Sequence, residues 1–175
     1  LSISRASRTF PQYLIFKPAM ITTSIILYFY WLNNNNLVNI YRHTEINYKF
    51  KTFGVLSALF LAIHSIFLGV KFDIQIYKLM RRVVLLLFII FEIIAQGMLV
   101  YYFFKLRDKL SELINKKVLI FKAILVSILA LVAILSIPTL IEKGNTHFKH
   151  ALEWNYFVGV ILFYLFTRFL WKRTT

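Results

Sequence analysis

Chemistry in this sequence would have to come from a handful of polar side chains set among apolar residues. Glu92 stands near the middle of the apolar run Val83–Phe104, and Gln96 follows four residues later, so a helix places both on one face. His64 lies inside the run Thr52–Val70. Glu153 and Asn155 open the run Ala151–Trp171, and His147 and His150 immediately precede it. An ionisable group within a bilayer is costly unless it is paired or faces the protein interior, so such residues are candidate sites. Two uses fit this set. The groups can hydrogen-bond across helices and hold them together, or they can line a small polar pocket that takes a lipid headgroup.

Other chemistries find too few parts. The His147–His150 pair has i,i+3 spacing, but only Glu153 stands close enough to add a ligand, so no metal site is predicted. There is no cysteine, which excludes thiolate nucleophiles and thiolate metal centres. The sequence has no Gly-rich phosphate loop, no Gly-x-Ser-x-Gly elbow and no His-Glu-x-x-His, so no catalytic residue and no cofactor is assigned. His64 and Ser65 are adjacent and point apart on a helix, which makes them a poor nucleophile–base pair. Ser57, Ser65 and Ser127 fit helix packing as small residues. Lys122, just inside an apolar run, is expected to snorkel to the interface. Tyr28, Tyr30, Trp31, Tyr101, Tyr102, Trp154 and Trp171 lie towards the ends of apolar runs and read as interfacial anchors.

The elements that must position these groups are membrane-spanning helices. Of 175 residues, 59% are hydrophobic, 18% aromatic and only 16% charged, with a mean hydropathy of +0.70. A soluble domain of this length carries more charge. Five contiguous apolar runs approach or reach the roughly twenty residues that a span requires: 13–32, 52–70, 83–104, 118–140 and 151–171. They lack the alternation of a barrel strand. The expected fold is therefore all-α, a polytopic transmembrane helical bundle over 13–175 with about five spans, preceded by a polar segment over 1–12. The stretch Asn33–Lys51 is expected to connect the first two spans as a turn or short amphipathic helix. With successive spans antiparallel, His64, Glu92, Gln96 and Glu153 converge towards one leaflet, with His147, His150 and Asn155 as accessory groups.

The net charge is +14. The cations sit in the gaps between runs, as in Lys71–Arg82 and Lys105–Lys117, which favours anionic headgroups over nucleic acid. The side bearing the first and third connections carries more of them and includes the C-terminus, which is therefore placed in the cytoplasm. Nothing selects the organelle.

The last run, His150-Ala-Leu-Glu153-Trp154 through Phe163-Tyr164-Leu-Phe-Thr167, resembles the final span of the damage-regulated autophagy modulator family, which includes Sfk-type and FRAG-type proteins. Ile3-Ser4, Pro11 and Ile15-Phe16 are similar to that family's extramembrane segment, and Gly54-x-x-Ser57 to its packing motif. Gln12 departs from the Glu that often follows the Pro. The resemblance implies six spans, the first upstream of Leu1, a cytoplasmic C-terminus, and roles in membrane trafficking, phosphoinositide regulation or GPI-lipid remodelling. It carries over no catalytic residue. The functional expectation is a non-enzymatic, lipid-interacting or regulatory membrane protein. The alternatives are an accessory subunit of a larger membrane complex and, third, a membrane-embedded lipid-modifying enzyme.

Overall fold

A computed structural model describes residues 10–43, 48–67, 75–141 and 146–172, leaving aside the side chains of 75, 78, 81, 82, 136–150, 152 and 153. It is all-helical, with no strand among the described residues beyond a single bridge between Ile114 and Trp171. The helices are α1 (Tyr13–Arg42), α2 (Lys49–Ile66), α3 (Gln75–Lys105), α4 (Lys116–Ile141) and α5 (Thr146–Leu170). Among the described residues, four are long and apolar enough to cross a membrane: α1, α2, Val83–Lys105 of α3 and Lys116–Leu135 of α4. In α5 the apolar stretch among the described residues is Trp154–Leu170, which leaves it as a candidate beside those four. Helices suit this composition because each satisfies its own backbone hydrogen bonds where no water can. The chain divides into two compact units, Ile3–Gln96 and Gly97–Thr175, and α3 contributes to both.

In the first unit, α1 does not stop at the asparagine tract. It continues through Asn33–Asn36 to Arg42 and ends with His43 in a left-handed conformation (φ 52°). Thirty residues make a helix of about 45 Å, well beyond the roughly 30 Å of a hydrocarbon core. The asparagines are tolerated because two of them are buried and bonded. Asn34 Nδ2 donates to the Tyr30 carbonyl at 2.8 Å, and Asn35 Oδ1 accepts the backbone N–H of Tyr48 at 3.1 Å. Tyr48 is the residue that starts α2, so Asn35 fixes the point at which the chain re-enters a helix.

Below that point α1 and α2 approach closely at Gly54, where a Cβ would fall on the indole of Trp31. Trp31 is fully buried and its ring lies 6.4 Å from Phe50, which in turn stacks on Tyr48 at 5.8 Å. Trp31 is thus a packing wedge and not the interfacial anchor expected from its place near a span end. Because no water-facing position is left for it, its Nε1 finds no hydrogen-bond acceptor among the described residues. Between α2 and α3, Phe53 and Phe60 both pack on Phe91 at 5.8 and 5.6 Å.

In the second unit, the connection from α3 to α4 is folded onto the end of α5. Leu106, Leu110 and Ile114 are buried. The Asn115 N–H bonds the Leu170 carbonyl and the Lys172 N–H bonds the Leu113 carbonyl, each at 2.8 Å. Trp171 meets Phe103 edge-on at 6.2 Å, and Lys172 Nζ donates to the Ser111 carbonyl at 2.7 Å. The α3–α4 connection and the end of α5 therefore lie at one end of the unit, as antiparallel succession requires. Along their length α4 and α5 close at Gly159, whose Cβ would lie 2.5 Å from Leu129 Cδ2.

Candidate functional site

In each unit the buried polar contacts described centre on one charged-type side chain. In the first it is Glu92 of α3, with no exposed surface. The Ser57 hydroxyl of α2 donates to its Oε2 at 2.6 Å, and Gln96 Nε2, one turn along α3, donates to its Oε1 at 2.9 Å. Ser57 and Gln96 are themselves fully buried. Ser57 Oγ also lies 2.8 Å from the Gly54 carbonyl, so a single hydroxyl hydrogen faces two acceptors. Gln96 Oε1 is buried without a hydrogen-bond partner among the described residues. Leaving such an acceptor unpaired costs about 1–3 kcal/mol, which marks it as the open valence of the cluster.

The expected Glu92–Gln96 pairing on one face of α3 is present. The partner across helices is Ser57, which the sequence offered only as a packing residue. The spacing Gly54-x-x-Ser57 carried the signal: the glycine lets the helices close, and the same turn presents the hydroxyl. His64 is buried on α2 seven residues beyond Ser57, on the same face and about 10 Å further along the axis. Ser65 is also buried, its hydroxyl returned to the Leu61 carbonyl at 2.6 Å, which leaves it no nucleophilic role. Asn155 is exposed and its amide donates to the Ala151 carbonyl at 2.8 Å. The side chains of His147, His150 and Glu153 lie outside the described residues, and so does their part in the expected convergence. Among the described residues, no three His, Asp or Glu side chains gather in a way that could hold a metal ion.

In the second unit the group is Lys122, only 1% exposed. It does not snorkel to the interface. Its Nζ donates to Thr167 Oγ1 of α5 at 2.6 Å and sits 3.8 Å from the centre of the Phe163 ring. Thr167 passes the bond on, donating to the Phe163 carbonyl at 3.2 Å. Lys122 is six residues into α4, and Phe163 and Thr167 are four residues apart on the facing stripe of α5. The amine finds an acceptor and an aromatic face within reach, and turns inward. No carboxylate lies within ion-pair distance of it among the described residues; the ion pairs there are the exposed contacts of Asp108 with Arg107 and Lys116.

The two Glu92 oxygens are occupied by neighbours, and the Lys122 amine is held by a hydroxyl and a ring. Neither presents a nucleophile beside a base. Their direct effect is to tie α2 to α3 and α4 to α5 by polar contacts in apolar surroundings. Comparison with protein-family models, curated proteins and solved structures finds no match to the chain.

Proposed function

We propose that the chain is a non-enzymatic, multi-pass membrane protein with a lipid-interacting or regulatory role, and that the Glu92–Gln96 cluster is where a lipid headgroup engages it. The observation that carries this reading is Gln96 Oε1, a fully buried acceptor without a partner among the described residues, one turn from a buried carboxyl. A headgroup hydroxyl or amine would satisfy it and could exchange with the Ser57 hydroxyl on Glu92. Burial makes each such bond worth more than it would be in water. The buried His64 on the Ser57 face adds a second group that can donate or accept. Exposed cations at the end of the second unit, among them Lys105, Lys116 and Lys117, support a cytoplasmic C-terminus through the preference of basic residues for that side.

The test is native mass spectrometry of the full chain released from its own membrane in mild detergent. The reading expects a defined lipid mass on a single chain, retained by the wild type and lost in both Glu92→Ala and Gln96→Leu. Retention of the same lipid by both variants would overturn it. Exposed aromatic side chains on four helices, among them Phe29, Tyr101, Phe121 and Phe169, favour one alternative, an accessory subunit whose flanks meet partner helices. A stoichiometric mass of another polypeptide with no specific lipid would select that reading instead.

A further inference from the structure

We infer that the second unit carries a separate seat for an anionic glycerophospholipid, with one acyl chain in the groove between α3 and α4 and its phosphate on Lys105 and Lys116. This deepens the lipid-interacting reading but rests on different residues.

The groove is lined by Gly97, Tyr101 and Phe104 from α3 and by Ala123 and Ser127 from α4, among others, with a cavity volume of about 270 Å³. Small residues form its floor. Gly97 and Val126 are close enough that a Cβ on the glycine would only just touch the valine, at 3.6 Å. Tyr101 and Phe104 form the wall, and Tyr101 is 62% exposed. The lining is mostly apolar, and it belongs to two helices that are both apolar enough to cross a membrane, so the groove opens to lipid.

The groove runs about 10 Å along α3, from Gly97 to Phe104, and its apolar lining suits a hydrocarbon chain.

Charge chooses the headgroup. On α3 the stripe Gly97–Tyr101 leads, four residues on, to Lys105, and on α4 the stripe Ala123 leads, seven residues back, to Lys116. Both lysines are exposed, and both stripes end at the connection that also holds Arg107 and Lys109. Lys105 has no ion pair among the described residues, and the Lys116 contact with Asp108 is an exposed one of 4.0 Å. A chain lying in the slot would therefore put its phosphate between two available ammonium groups.

The experiment compares phosphatidylglycerol with phosphatidylcholine of the same acyl chains, added to the full chain in mild detergent and read by native mass spectrometry. Phosphatidylglycerol is expected to stay on a single chain in preference to phosphatidylcholine. Lys105→Gln with Lys116→Gln should weaken it about twenty-five-fold, at about fivefold per lysine. Ser127→Trp, an exposed position that fills the slot without touching the core, should abolish retention while leaving the helical circular dichroism unchanged. Lys49→Gln with Lys51→Gln, cations of the first unit, should leave it unaltered. Equal retention of the two lipids, or no effect of either groove variant, overturns the seat, as does a dimer that Ser127→Trp dissociates. If native-membrane lipid still binds and is lost in Gln96→Leu, the seat fails and the lipid-interacting reading stands; if no lipid binds at all, both fail.

Discussion

The Lys122–Thr167 contact gives a test in which removing the acceptor should harm the protein more than removing the amine. Thr167→Val keeps the shape of the side chain and deletes the acceptor 2.6 Å from Lys122 Nζ. The amine is 1% exposed, and the Phe163 ring 3.8 Å away is then its only remaining partner among those described. A hydrogen bond of this kind is worth about 1–3 kcal/mol, and stranding a buried donor costs that desolvation in full. Within membranes, measured pair couplings are smaller, about 0.6 kcal/mol on average and up to about 1.7. The close approach, the burial and the aromatic contact place this pair at the upper end, so Thr167→Val should destabilise by about 2 kcal/mol. Lys122→Met keeps the aliphatic stem and removes the buried polar head. Thr167 retains its own bond to the Phe163 carbonyl, so this variant should fall within about 1 kcal/mol of wild type, as replacements of buried polar groups by apolar ones of similar volume often do. The double variant should then be more stable than Thr167→Val alone. The assay is reversible unfolding in mixed micelles by denaturing detergent, followed by circular dichroism. If Thr167→Val is neutral, or if the two single effects simply add, Lys122 is not held by Thr167 and the inward lysine is refuted.

Gly54→Ala should destabilise by about 1–3 kcal/mol or prevent folding, because its Cβ would meet the fully buried indole of Trp31, which has no room to withdraw. Gly159→Ala meets the end of the flexible Leu129 side chain, Cδ2 most closely, and should cost less than a clash with a rigid indole, so a reversed order in the same unfolding assay would contradict the packing. Glu92→Gln should be tolerated: its amide brings its own hydrogens, so Ser57 can accept from it and give its one hydrogen to the Gly54 carbonyl. Ser57→Ala should cost about 1 kcal/mol of stability, and equal losses in the two variants would argue against the shared-hydrogen geometry. Asn35→Ala should cost about 1 kcal/mol by leaving the Tyr48 N–H unbonded at the start of α2, read as faster amide exchange there with the rest of the helix unchanged.

The positions of the helices were legible because contiguous apolar runs leave the backbone few other choices in a membrane. Their ends were not. The Asn33–Asn36 tract looks like a break by composition, and it is helix because Asn34 and Asn35 spend their amides on the Tyr30 carbonyl and the Tyr48 N–H. No windowed property contains that, since one of the two bonds spans thirteen residues. The local half of the Glu92 site, Gln96 one turn away, followed from helical spacing. Its distant half, Ser57, followed only once the register of α2 against α3 was fixed by Phe53 and Phe60 on Phe91.

Lys122 and Trp31 failed for the same reason. Each lies where a lysine or a tryptophan ordinarily reaches the membrane interface, and average behaviour at a span end assumes an empty inward side. Here the inward side is occupied by groups that suit them, Thr167 and Phe163 for the amine and the bare face of Gly54 for the indole. A glycine or a threonine on a facing helix therefore decides the direction of an amphipathic side chain as much as its depth does. Glu92 is buried against two donors, as expected of a carboxyl deep in an apolar run that is too short to reach water in either direction. The residues whose fate depends on a single neighbour are the ones that sequence reading could place on a helix but could not point.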